Sequence, residues 1–198
     1  MKTLISYLPL EGVKPRNFLR HLLIGRDCTE IEYFEAETVS CYRTQAIKVL
    51  SRVLCVNPTT VRNHWGKTLN FELMPSNYQL VLGYIETAGI NQKYASLIIK
   101  DKYAPSRLTP KEFLDYALGL DKLTTEEIKL RLSNNSFFPE CARILSQVSG
   151  FGYRTVMNWG CDIRFHKMPQ EYEYVLYYAS EAIKVRQTFN TKNMVVAA

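Results

Sequence analysis

The stretch "LSQVSGFGYRTVMNWG", Leu145–Gly160, is a near-copy of "LSRVLCVNPTTVRNHWG", Leu50–Gly66. An offset of 95 residues pairs Leu50, Ser51 and Val53 with Leu145, Ser146 and Val148, and Thr60, Val61 and Asn63 with Thr155, Val156 and Asn158. His64 is one extra residue, after which the offset becomes 94. Trp65 and Gly66 then meet Trp159 and Gly160, Phe71 meets Phe165, and Met74-Pro75 meets Met168-Pro169. Tyr78, Val81, Leu82, Tyr84 and Ala88 continue the match to Tyr172, Val175, Leu176, Tyr178 and Ala182. Both tryptophans of the chain fall at one equivalent position. Two copies of one unit are therefore present, spanning roughly Cys41–Ile90 and Pro139–Gln187. Solenoids usually need three or more repeats, so two copies point to a paired device.

In the second copy, Ile144, Leu145 and Val148 lie on one helical face. Gly150 ends that helix, because glycine takes the left-handed turn without steric cost. A second helix begins near Tyr153 and carries Val156 and Trp159 three residues apart, on the side that faces the first helix. A small residue, Gly four on, Val six further and Trp three further is the spacing of a helix-turn-helix. About twenty residues of each copy thus resemble the helix-turn-helix regulators of the phage repressor and activator kind. The resemblance implies a second helix presented to the major groove of DNA. The first copy departs from it in two places: Cys55 replaces the turn glycine, and His64 puts Trp65 four residues after Val61. Either spacing keeps both side chains on one face. Pro58 suits the first turn of the second helix, where its missing amide hydrogen costs nothing.

With Val and Trp turned inward, the opposite face is free. It offers Asn57, Thr59, Arg62 and Asn63 in the first copy and Tyr153, Arg154, Met157 and Asn158 in the second. Arg pairs with guanine through two bonds, Asn does so with adenine, and Thr or Met can touch the thymine methyl. Lys48, Arg52 and Arg143, with Lys67, Arg164 and Lys167 beyond the tryptophans, are candidate phosphate contacts that hold register.

The rest of the chain also reads as helical. An N-terminal segment, 1–40, contains "KPRNFLRHLLIG", with a Pro start and Gly25 as the stop. The alternation in "TEIEYFEAETVSCYR" allows a strand, yet a helix from near Glu35 running into "CYRTQAIKVLSRVL" explains it as well. A connector, 91–138, holds two capped helix starts: Thr109-Pro110 with Glu112, and Thr124 with Glu127 opening "EEIKLRL". Pro75 and Pro169 each start a helix whose apolar stripe packs on the motif. The expected architecture is mainly α: two tandem helix-turn-helix-containing units, 41–90 and 139–187, joined by the helical connector and followed by a flexible tail, 188–198.

Composition narrows the function. The 198 residues are 46% hydrophobic and 22% charged, as in a folded protein, and the net charge of +6 favours polyanionic partners. No apolar run reaches the length of a membrane span, and the start lacks signal-peptide features, so a cytoplasmic, nucleoid-associated protein is expected. Cys28, Cys41, Cys55, Cys141 and Cys161 are too scattered for a metal motif and read as free, mostly buried thiols. Cys161 with His166 lacks a second ligand pair, and no nucleophile–base pair or phosphate loop is recognisable. Neither catalysis nor a cofactor, metal or small-molecule ligand is expected. The expected function is sequence-specific binding of double-stranded DNA by a transcriptional regulator. Its two unlike half-sites would lie about one helical turn, roughly 34 Å, apart. A homodimer or a protein partner is a further possibility. The alternatives are a helical adaptor, a mixed design with one unit on DNA and one on a protein, and a recombination or replication accessory factor.

Overall fold

The computed structural model describes residues 4–9 and 11–196, with side chains through residue 190; residues 1–3 and 10 of the N-terminal segment and 197–198 of the tail lie outside them. The described residues form helices and turns with no strand. They divide into two compact units, Pro9–Pro105 and Met1–Leu8 with Ser106–Ala198.

The first unit contains α1 (Pro15–Leu23), α2 (Glu30–Thr38), α3 (Tyr42–Leu54), α4 (Pro58–His64), α5 (Ser76–Thr87), α6 (Ile90–Lys93) and α7 (Ala95–Ile99). Its core is built from Phe18 and Leu19 of α1, Ala46, Leu50 and Val53 of α3, Val61 of α4, Leu82 and Ile85 of α5, Ile98 of α7, and Phe71. The second contains α8 (Pro110–Ala117), α9 (Thr125–Leu132), α10 (Phe137–Ser149), α11 (Tyr153–Met157) and α12 (Glu173–Val196), and a 3-10 turn, Leu4–Tyr7, that packs on α12. Phe113, Leu114, Leu145, Val148, Val156, Phe165, Tyr178 and Ile183 fill its core.

The five leading helices of each unit correspond, and the correspondence begins well upstream of Cys41. Pro15 and Pro110 are the first helical residues of α1 and α8, and Phe18-Leu19 and Phe113-Leu114 are among their buried residues. Thr29 and Thr124 each accept a hydrogen bond from the amide three residues on, Glu32 or Glu127, at 3.3 Å in both copies. Val13 N–H donates to Gln79 O at 2.9 Å, and Leu108 N–H donates to Glu173 O at 3.2 Å. Leu73 N–H closes on Trp65 O as Lys167 N–H closes on Trp159 O. Phe71 and Phe165 share a left-handed backbone, φ 48° and 44°. The segments read as N-terminal, 1–40, and as connector, 91–138, thus hold the front helices of the two units, and the connector divides between them.

Two local expectations change. One helix was expected from near Glu35 into α3; instead α2 starts at Glu30, because Thr29 and Glu32 form a capping box, and it ends before Val39. Residues 188–196, read as a flexible tail, continue α12 as helix. The equivalent helix α5 stops at Ala88-Gly89, where Gly89 takes φ 67°. Ile183 stands at the matching place in α12 and supplies no such stop. The cysteines also differ from expectation: Cys141 is buried, Cys28 and Cys55 are half-buried, and Cys41 and Cys161 are exposed.

The turn after α3 and α10 is left-handed in both copies, at Cys55 (φ 52°) and Gly150 (φ 72°). A side chain there meets its own backbone. Gly150→Ala should cost about 1–2 kcal/mol, and Cys55→Gly should be neutral or stabilising by up to ~1 kcal/mol. Urea midpoints check both, and an unchanged midpoint for Gly150→Ala would contradict the turn geometry.

Glu37 holds α2 to α1. Its almost fully buried carboxylate accepts from Arg16 Nε at 2.9 Å and Arg20 Nε at 2.7 Å. Hydrogen bonding to Arg16, then to Arg20, holds it down at about 2, from an ordinary value of 4.5. A depressed carboxylate stabilises the fold above its unfolded value and ceases to do so as pH falls through the folded one. Stability contributed by Glu37 is therefore complete above pH 4.5 and lost on acidification toward about 2. Glu37→Gln should cost on the order of 2–3 kcal/mol at neutral pH. It should also flatten the acid limb of stability in that window, read as urea midpoint against pH beside the unaltered chain.

Candidate nucleic-acid interface

The outward surface of each motif follows from what its second helix buries. In the first unit, the α3–α4 turn is tied by Val56 N–H to Ser51 O at 3.1 Å, and Ser51 Oγ–H donates to Ile47 O at 2.7 Å. Asn57 Oδ1 caps α4 by accepting from Thr59 N–H at 2.8 Å, and Pro58 follows at the first helical position. Val61 is fully buried and Trp65 is 2% exposed, its ring 5.0 Å from that of Tyr78 on α5. The opposite face is open: Asn57, Thr59, Arg62, Asn63 and His64 are all exposed. Thr59 and Asn63, four residues apart, share its middle, with Arg62 to one side and His64 to the other.

The second unit repeats the plan with changes. Val156 is fully buried and Trp159 is 7% exposed, set in a cluster with Phe151 (5.6 Å) and Tyr172 (6.0 Å). Ser146 Oγ–H donates to Phe151 O at 2.6 Å across the turn. Without the inserted residue α11 is shorter, five residues against seven in α4. Arg154 and Asn158 are exposed and take the places of Thr59 and Asn63. Tyr153 is exposed but lies under the Arg143 guanidinium, 5.9 Å from its ring centre. Met157, expected on the outward face, is half-buried at the last residue of α11.

The candidate phosphate contacts separate into two groups. Lys48, Lys67, Arg143, Arg164 and Lys167 are exposed. Arg52 is half-buried, and its Nε donates to Asp101 at 2.6 Å, so its charge is already balanced by a carboxylate. Arg43 is also committed, donating to Gly66 O at 2.8 Å and Thr68 O at 2.6 Å over the Phe71 ring. Phe138 fills that place in the second unit by stacking on Phe165 at 5.1 Å.

The distribution of charge along the sequence sharpens the electrostatics. Residues 41–75 hold five Lys and Arg against one acid, Glu72, and 137–169 hold four against two, Glu140 and Asp162. These two segments carry the whole formal surplus of +6, and the rest of the chain is balanced. The Thr68 hydroxyl donates to Glu72 and holds its carboxylate below the usual range, so this lone acid stays ionised beside Arg43. His64 and His166 are exposed in the same two segments.

Among the described residues no three His, Cys, Asp or Glu side chains gather as a metal-binding group, and no helix is long and apolar enough to cross a membrane. No protein-family model, curated protein or solved structure matches the chain.

Proposed function

We propose that the chain is a sequence-specific double-stranded DNA-binding protein, a nucleoid-associated transcriptional regulator that reads two unlike half-sites with tandem helix-turn-helix units. It acts by binding and performs no catalysis. One observation supports this most: the two segments that bury Val61 with Trp65 and Val156 with Trp159 are those that carry the entire charge surplus. An exposed helix face bearing Arg, Asn and Thr within a positive field fits a groove lined by base edges and flanked by phosphates.

Fluorescence-anisotropy titrations on genomic fragments, repeated over a salt series, test the proposal. Affinity should fall steeply with salt and differ between fragments by about 10³-fold or more. Equal affinity for every fragment, or no binding at low salt, removes it. A mixed design is the second reading, favoured by Tyr153 beneath Arg143 and by the half-buried Met157 in the second unit. Arg62→Ala and Arg154→Ala, made separately, discriminate: loss of DNA binding from the first alone assigns the second unit to a protein partner.

A further inference from the structure

We propose that the chain self-associates through an antiparallel contact between α2 of one copy and α9 of a second copy. Both helices are exposed at equivalent places in their units. α2 (Glu30–Thr38) buries only Tyr33, and α9 (Thr125–Leu132) buries no residue. Helices this short gain little stability from propensity and depend on packing. Both nonetheless expose large apolar side chains: Ile31 is 71% exposed, Phe34 64% and Leu130 75%.

The outward face of α2 carries Ile31, Phe34, Glu35 and Thr38; that of α9, extended to its cap, carries Glu126, Lys129, Leu130 and Ser133. Each set has the three-and-four spacing of a helix contact face, and the 95-residue offset places the two sets in register. An antiparallel pair brings position to position in reverse order. Phe34 then meets Leu130, Glu35 meets Lys129, Ile31 meets Ser133 beside the half-exposed Leu132, and Thr38 meets Glu126. At the centre Phe34 faces Leu130 and Glu35 faces Lys129, the two outer pairs join a side chain to a hydroxyl, and no two like charges meet.

In the same register, other pairings of these helices fail this matching. Two α2 helices, antiparallel, set Phe34 against Glu35; two α9 helices set Lys129 against Leu130. A parallel α2–α9 pair brings the acidic first turn of α2, with Glu30 and Glu32, beside Glu126 and Glu127. The two copies of the repeat have thus diverged so that α2 and α9 complement each other rather than themselves. The partner chosen is a second copy because this chain itself presents the complementary surface. The contact is heterologous, and it is small, which places it among weak interfaces. It stands independently of DNA binding.

Sedimentation equilibrium on the full chain, without DNA, tests it. The unaltered chain should show mass rising with concentration. Phe34→Asp and Leu130→Asp, each with an unchanged far-UV circular dichroism spectrum, should be monomeric alone. Mixed in equal amounts they should form a dimer and nothing larger, since one surface of each is intact. Glu35→Lys and Lys129→Glu should each weaken association, and the chain carrying both should regain it. A monomeric unaltered chain at every concentration, association undiminished in Phe34→Asp or Leu130→Asp, no dimer in their mixture, or no recovery in the charge exchange would each overturn the proposal.

Discussion

Trp65→Ala should remove about 3–5 kcal/mol from the stability of the Pro9–Pro105 unit, the largest loss expected from any one substitution here. The indole is almost wholly buried, and its ring lies 5.0 Å from that of Tyr78, tilted by 44°, so that it ties the end of α4 to α5. Its carbonyl also receives Leu73 N–H at 3.2 Å, which anchors the turn leading to Phe71. Truncation leaves a cavity beside Tyr78 in a fully packed region. Urea denaturation followed by far-UV circular dichroism reads the loss. The variant retains Trp159 as its single tryptophan, so fluorescence reports the second unit separately. Trp159→Ala is the matching experiment, with Phe151 and Tyr172 bordering the cavity. A loss below about 1 kcal/mol in either variant contradicts the packing on which the outward faces of α4 and α11 depend.

That packing was legible in the sequence because it is local. Val61 with Trp65, and Val156 with Trp159, need only helical spacing to be placed on one face. The capping boxes at Thr109–Glu112 and Thr124–Glu127 are equally local, and both open helices where expected. The box at Thr29–Glu32 has the same form but was masked by the strand-like alternation that follows it. The front of the repeat was missed for another reason: α1 and α8 share few residues, chiefly Pro15 with Pro110, Phe18 with Phe113 and Leu19 with Leu114. Backbone caps and core positions preserve a shape that identities this sparse do not announce. Charges failed where partners are distant. Arg52 meets Asp101 across 49 residues, so it is not available to a phosphate as its position suggests. Long-range pairing of this kind leaves no periodic trace.

The second large effect is on base preference. Asn63 and Asn158 occupy the same outward position, and one turn earlier the copies differ: Thr59 in the first, Arg154 in the second. Asn pairs with adenine through two bonds, so both half-sites should require adenine at the matching step. At the neighbouring step the copies should diverge. The Thr59 methyl favours thymine, whereas Arg154 can grip guanine through O6 and N7. Arg154→Thr should therefore weaken binding to the second half-site by about 1–3 kcal/mol, roughly 5–150-fold, and abolish its guanine preference while the adenine requirement remains. Thr59→Arg should confer the guanine preference on the first half-site. Selection of bound duplexes from a random pool, run with the unaltered chain and both variants, reads these preferences directly. If Arg154→Thr weakens all sequences alike and reduces the salt slope by about one, Arg154 holds a phosphate and the base assignment fails. If the unaltered chain selects no sequence at all, the failure lies in the DNA-binding proposal itself. Because α11 is a turn and a half long and its Met157 is half-buried, Arg154 and Asn158 are the two residues of the second unit on which sequence discrimination should rest.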